Sequence, residues 1–360
     1  MKKFTTFLLL AFFANYSFAQ IPTGYYDGTA GSTGYALKTK LHAIIKAGHQ
    51  DKGYGGLWEA YKIGDLDKYY ENDNTILDVY SEKPFAADAY NYTPGTNQCG
   101  NYSGEGICYN REHLFPQGFF NEASPMKNDY LHILPTDGYV NGKRNNYPFG
   151  KVGSASWTST NGSKLGTSNF PGYGGTVFEP IDEFKGDIAR SLLYFITRYE
   201  DQLSGFSHTD NNNPQDGTSG RGFDQWYINL LMLWHQNDPV SAKEIARNNY
   251  AYVYQKNRNP YIDHPEWVTE IWTSTLSTTD LASFEKTLSV YPNPVRNGEL
   301  NVSGYGLNEV KTLQIYSIDG KLVQTVNQDL KNNRKIILKN ITKGNYILKA
   351  ENQSVKFIVQ

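Results

Sequence analysis

The sequence predicts an α+β protein in two parts, a mixed domain of helices and short strands followed by a small all-β sandwich. Three observations carry this. Apolar residues recur at helical spacing in several stretches between residues 32 and 256, and short alternating runs take over after residue 288. Between the two textures lies the Ser-Thr stretch "STLSTTDLASFEKT", residues 274–287, which reads as a linker. A chain of 360 residues also exceeds what one apolar core usually supports, so two domains are the prior.

In chain order, "MKKFTTFLLLAFFANYSFAQ" opens with two lysines, an apolar run and a small-residue end. It is expected to be a secretory signal, residues 1–19, with the mature chain starting at Gln20. No later stretch approaches the roughly 20 apolar residues of a membrane helix. "STGYALKTKLHAIIKAG" sets Leu37, Leu41, Ile44 and Ile45 at helical spacing before a glycine, and predicts a helix. "TILDVYSE", residues 75–82, alternates like a half-buried strand. "IDEFKGDIARSLLYFITRYEDQL" and "GFDQWYINLLMLWHQ" predict two amphipathic helices, with a third over residues 240–256. Residues 153–176 and 203–222, rich in Gly, Ser, Asn and Thr, are expected to be long surface loops.

After the linker, "ELNVSG", "KTLQIYSIDGKLVQTV", "KIILKNI", "GNYILKA" and "VKFIVQ" alternate between Asn, Gly and Lys turns. This is the pattern of a β-sandwich over residues 288–360, with Asp-Gly in "IDGK" as a hairpin signal. The features "YPNPV" at Tyr291 to Val295, "LNV", "IYSIDGKLV", "GNYILK" and a final Lys-Phe-Ile resemble the C-terminal sorting domain of the type IX secretion pathway. That resemblance implies the type IX machinery as a partner, removal of the tail, and a secreted or cell-surface product. An adhesive or carbohydrate-binding sandwich is the competing reading.

The net charge of −2 conceals an asymmetry. Residues 288–360 hold ten Lys or Arg against five Asp or Glu, and with Lys2 and Lys3 set aside, residues 20–287 carry −9. A domain this acidic does not grip a polyanion by its overall field, so any phosphate binding must come from local clustering. The 28 tyrosines suit a protein facing water, each ring burying area while its hydroxyl stays hydrated.

The chemistry concentrates in "CGNYSGEGICYNREHLFP", residues 99–116. In an exported chain an isolated pair, Cys99 and Cys108, reads as a disulfide; a zinc site with His113 and His132 is the alternative, though its spacing fits no usual finger. The segment from Arg111 to His113 is expected to be a strand ended by Pro116. Alternation would put Arg111 and His113 on one face and Glu112 on the other unless the strand bends. Further on, "YLHILP" reads as a second strand, Thr136 or Asp137 as an N-cap, and "GYVNGKRNN" as a short helix halted by Pro148. On that helix Asn141, Arg144 and Asn145 share one face.

The pieces "NREHLFP", "VNGKRNNYPFG", "EP", "KGDIAR" and "NRNPYIDHPEW" together resemble the bacterial endonuclease I family of extracellular and periplasmic nucleases. The resemblance extends over most of residues 25–272, and the domain is placed at residues 20–273. It implies an active site of the ββα-metal (His-Me finger) type, with His113 as general base and Glu112 and Asn141 as metal ligands. The residue types suit those roles: a neutral imidazole takes a proton from water near pH 7, and a hard cation is served by one carboxylate, one amide carbonyl and waters. Mg²⁺ is the expected ion, with Mn²⁺ or Ca²⁺ as substitutes. Arg144 or Arg111 would clamp a phosphate oxygen, and Lys143, Asn145 and Arg190 are further substrate-binding candidates. The role of His132 stays open.

Each residue also has a plainer reading. Glu112 and His113 alone would be a solvated strand end, Asn141 a turn residue, and Lys143 and Arg144 a solvated face. Asp187 is read as a structural ion pair, Arg190 as either packing or cleft. His264, Trp234 and His235 are read as packing. The expected function is a secreted, metal-dependent endonuclease, monomeric, with DNA preferred over RNA as its substrate and 5′-phosphate products. A phosphodiesterase acting on other phosphoesters and a non-enzymatic surface adhesin are the alternatives.

Overall fold

The structure is a computed structural model that describes residues 21–100, 103–207, 210–273, 288–291, 293–303, 307, 310–318, 320–328, 330, 334–339, 341–350 and 353–360. The expected signal segment and the Ser-Thr linker lie outside the described residues. The chain is α+β, ending in an all-β region. No helix of the described residues is long and apolar enough to cross a membrane.

The first core is built around α4 (Lys185–Arg198), of which twelve of fourteen residues are buried. A helix buried nearly all round is a central element rather than a surface one. α1 (Gly34–Lys46) packs on it through Leu37, Leu41 and Ile45, the predicted stripe. α2 is Gly56–Gly64. α5 (Gln225–Asn237) and α6 (Ala242–Gln255) match the predicted helices. α6 starts with a capping box, Ser241 with Glu244. α7 (Pro260–Asp263) and α8 (Glu266–Trp272) complete the layer.

Against it stand two strands and a helix. β1 (Tyr109–His113) pairs antiparallel with β2 (Ile133–Asp137), from Tyr109↔Asp137 to His113↔Ile133, without a bulge. α3 (Gly138–Arg144) follows at once. Asp137 is its N-cap, its Oδ1 accepting from the backbone N–H groups of Tyr139 and Val140, both at 2.8 Å. The helix stops at Asn145, left-handed at φ 51°, ahead of Pro148.

Two expectations fail here. Residues 75–82 are not a strand but turns with one bridge, Leu66 to Ile76. Every residue from Ile76 to Glu82 is buried, and the Asp78 carboxylate rather than a neighbouring strand takes the N–H of Tyr80 at 2.8 Å. Residues 153–176 are not a loop: β3 (Val152–Thr158), β4 (Lys164–Ser168) and β5 (Thr176–Glu179) form an antiparallel sheet in that order. β3 is exposed along most of its length, so backbone pairing holds it without an apolar signature. The glycine in its partner is required, because a Cβ on Gly166 would sit 2.1 Å from the carbonyl oxygen of Ser154.

The C-terminal region has two antiparallel sheets around a second core. One orders β10 (Lys335–Ile337), β7 (Glu299–Ser303) and β6 (Ser289–Tyr291). The other orders β12 (Gln353–Val359), β11 (Gly344–Ala350), β8 (Thr312–Ser317) and β9 (Leu322–Asn327). Alternate residues such as Leu313, Ile315, Leu348 and Phe357 face Leu300, Val302 and Ile336. The expected hairpin is present, the N–H of Ser317 bonding the carbonyl of Lys321 at 2.9 Å; Asp319 of its turn and Pro292 of "YPNPV" lie outside the described residues.

Cys99 and Cys108 form a disulfide, which rules out the zinc alternative, since bridged sulfurs are not thiolate ligands. The bridge closes directly onto β1. Replacing both cysteines by serine is expected to lower unfolding stability by about 2.5–3 kcal/mol through the loosened unfolded chain. Urea denaturation of the double variant beside the oxidised chain measures it, and equal midpoints would show that the loop is held by other means.

Candidate active site

The carboxyl end of β1 and the exposed side of α3 meet over a cavity of about 310 Å³, whose lining includes Asn110, Arg111, Glu112, His113, Asn141 and Arg144. Glu112 and His113 both reach it although the strand carries no bulge. The bend expected to unite them is therefore unnecessary: the cavity wraps round the end of a two-stranded ladder.

Glu112 is 2% exposed. Its Oε1 accepts the Tyr80 hydroxyl at 2.9 Å and lies 3.3 Å from Nη1 of Arg144. Among the described residues no hydrogen bond falls on its second oxygen. Burial pushes the carboxyl up to about 7, against the pull of Arg144 and of the Tyr80 bond.

The Nε2 of His113 is 3.1 Å from the carbonyl oxygen of Lys127. A carbonyl only accepts, so Nε2 carries the proton and Nδ1 keeps the lone pair. Burial, then the neighbouring His132, holds the imidazole down to about 3, with the Lys127 bond opposing. His132, wholly buried, stands behind it with ring centroids 5.9 Å apart. It donates from Nε2 to the Met126 carbonyl at 2.7 Å and is pulled down to about 4 by burial.

Asn141 donates from Nδ2 to Oδ1 of Asn110 at 2.7 Å. The bond fixes the amide, leaving its carbonyl oxygen as the group the cavity can use. Arg111 also lines the cavity. Its guanidinium lies 3.4 Å from the Tyr54 ring centroid and 4.4 Å from that of Trp58, and it donates to the Tyr54 carbonyl at 2.9 Å. Asn145 sits on the rim.

Three candidates are placed differently from the sequence expectation. Arg144 lines the cavity but is 2% exposed, and its Nη1 and Nη2 donate to the carbonyls of His113 at 2.9 Å and Leu114 at 2.6 Å. It ties α3 to β1, and these donors are not free for a phosphate. Lys143 turns to the other side of α3, 5.1 Å from the Tyr139 ring and 5.9 Å from that of Trp157. Arg190 does not reach the cavity: it is fully buried on α4, held by both oxygens of Glu244 at 2.6 and 2.7 Å and by the Asp238 carbonyl at 2.7 Å. Asp187 beside it is paired with Lys243, as read from the sequence. His264 stacks on Trp267 at 4.0 Å, and Trp234 and His235 are buried.

Sequence reasoning missed Tyr80, Asn110 and Tyr54. Asn110 directly precedes Arg111, and its amide beside a helix amide was the one available signal. Tyr80 is 32 residues from the carboxylate it serves, and no local pattern marks it.

Residues 33–266 match the family model described as Endonuclease I, and residues 289–360 match that of the secretion system C-terminal sorting domain. The extracellular ribonuclease of Bacillus amyloliquefaciens is 35% identical over 251 residues, covering 69% of this chain and 78% of its own length. That of Bacillus subtilis (strain 168) is 34% identical over 255 residues, with the same two shares. The chain therefore belongs to the Endonuclease I family, a nuclease that its C-terminal sorting domain directs by type IX secretion to the cell surface or the extracellular space.

Proposed function

We propose that the cavity is a one-metal ββα-metal (His-Me finger) centre that hydrolyses phosphodiester bonds of extracellular DNA and RNA, leaving 5′ phosphates. The observation that carries this reading is the His113 tautomer: a neutral imidazole with Nε2–H bonded to a carbonyl and Nδ1 unprotonated, beside a carboxylate and a pinned amide. The family name says endonuclease without naming the nucleic acid, and the names of the two Bacillus relatives speak for RNA. Contacts made to phosphate carry no base identity, so both substrates fit one site.

The donors fit a hard divalent cation. Glu112 offers an oxygen that no described residue bonds, and Asn141 offers a carbonyl whose amide nitrogen is already committed. These two would hold Mg²⁺, with Mn²⁺ or Ca²⁺ as substitutes and waters completing the shell. When bound, the ion supplies charge neutralisation at the scissile phosphate and the leaving 3′ oxygen.

The rest belongs to the chain. His113 takes a proton from the attacking water at Nδ1, and the Lys127 carbonyl stabilises the imidazolium that results. A resting value of about 3 keeps the ring neutral but makes it a weak base; a phosphodiester anion brought alongside raises it toward a useful range. Arg111, held flat between Tyr54 and Trp58, presents its remaining N–H donors to a non-bridging oxygen. Arg144 acts as a positioning residue that fixes Glu112 and the end of β1.

Supercoiled plasmid and single-stranded RNA incubated with the purified chain are both expected to be cut with Mg²⁺ and left intact with EDTA. His113→Ala should lower kcat by roughly 10²- to 10⁴-fold at unchanged metal affinity, whereas Asn141→Ala should raise the Mg²⁺ concentration needed for half-maximal rate. Wild-type rates in EDTA, or in the His113 variant, would end this reading.

The pH dependence separates the two groups. Glu112 must be ionised to hold the cation, so at low Mg²⁺ the rate should fall as pH drops through about 7. Cation and proton compete for the same carboxylate, so tenfold more Mg²⁺ should move that limb down by up to about one pH unit. In kcat/KM, which reports the free enzyme, His113, neutral down to about 3, adds no limb between pH 5 and 8. Rate profiles at two Mg²⁺ concentrations test this, and an immobile limb would assign it to another group.

A further inference from the structure

We propose a second cation site, for Ca²⁺, formed by the carboxylates of Asp67, Glu71 and Glu82 in the segments that follow α2. One oxygen from each lies within 4.8 Å of the other two. Ligands held 2.3–2.6 Å from one Ca²⁺ stand at most about 5.2 Å apart, so a single ion can reach all three.

Acidic side chains gather without ions in many proteins, and the independent sign here is Glu82. It is 1% exposed, and its Oε1 is buried without a hydrogen-bond partner. A buried carboxylate oxygen lacking a donor is costly, and a cation supplies what the missing donor would. The charged groups acting on Glu82 are acids, Asp88, Glu71, Asp67 and Asp78. Among the described residues, none of Asp67, Glu71, Glu82 and Asp88 forms an ion pair.

Asp67 shapes the site. Its carboxylate accepts the N–H groups of Tyr69 and Tyr70 on Oδ1 and of Glu71 and Asn72 on Oδ2, each at 3.0 Å. That turn is complete without further acids, yet it brings Glu71 back against Asp67 and Glu82. Since four N–H groups already draw on Asp67, Glu71 and Glu82 carry most of the ligation and water fills the remainder. An all-oxygen set with one exposed member at its mouth, Glu71, suits a hard ion present outside cells at millimolar concentration.

The site would act on the catalytic cavity from behind. Glu82 closes the segment whose Tyr80 hydroxyl bonds Glu112 and whose Asp78 accepts the N–H of Asp137, the α3 cap, at 2.8 Å. An ion joining Glu82 to residues 67–71 would hold both supports in place.

Calcium is titrated by calorimetry into the purified chain and into Asn141→Ala, Glu82→Gln and Glu71→Gln, and the melting temperature is followed with and without CaCl₂. Asn141→Ala should keep one calcium equivalent and a calcium-dependent rise of roughly 5 °C. Glu82→Gln and Glu71→Gln should lose both, the exposed Glu71 deciding the matter if Glu82→Gln does not fold. The proposal is overturned if the Glu71 and Glu82 variants bind and gain as the wild type does, or if Asn141→Ala alone removes all calcium binding. Failure of the catalytic reading looks different: Asn141→Ala would then bind as many ions as the wild type.

Discussion

The arrangement of the site depends on one buried guanidinium. Arg144, at the last turn of α3, reaches the carbonyls of His113 and Leu114 and lies 3.3 Å from Glu112, with the Phe149 ring 4.5 Å away. α3 carries Asn141 and β1 carries Glu112 and His113, so this one side chain joins the two halves of the cavity. Its two Nη groups are engaged while Nε is buried without a partner, so any shift of α3 along β1 would leave still more of a cation unpaired in the core. The same contact sets electrostatics, since a carboxylate held by Arg144 and Tyr80 is buried without being stranded.

The two imidazoles follow a related logic. His113 and His132 donate to the carbonyls of consecutive residues, Lys127 and Met126. One short segment therefore fixes both tautomers. Two protonated rings 5.9 Å apart in a dry interior would repel strongly, and burial holds each neutral. His132 in turn packs on Phe195 of α4, ring centroids 4.6 Å apart. The His113 ring is thereby seated on the central helix through its neighbour.

What the sequence makes legible is what repeats or caps. α4 shows its 3.6-residue stripe, Asp137 stands where an N-cap belongs, and the strand through Glu112 and His113 is bounded by a cysteine and a proline. What stays hidden is held by side chains distant in sequence. Residues 75–82 alternate like a strand, yet Asp78 serves their backbone and all from Ile76 to Glu82 are buried, so alternation meant nothing there. β3 is a strand without apolar faces. Arg190 has the spacing of a cleft residue, but Glu244, 54 positions away, holds it in the core. Charge on a helix face does not tell whether the face meets solvent or a partner carboxylate.

The acidity of the domain is compatible with an anionic substrate because exposed charges more than about 8 Å apart are largely screened at physiological ionic strength. At the mouth Arg111 is stacked on Tyr54, and Lys127 approaches the other side of the same neighbourhood, 5.0 Å from that ring, with Glu122 as its ion partner. With Lys127 already paired to Glu122, Arg111 is left to give a short-range attraction that the net charge conceals. A single cation placed in this way would meet one phosphate rather than a length of backbone, and contacts to phosphate carry no base identity.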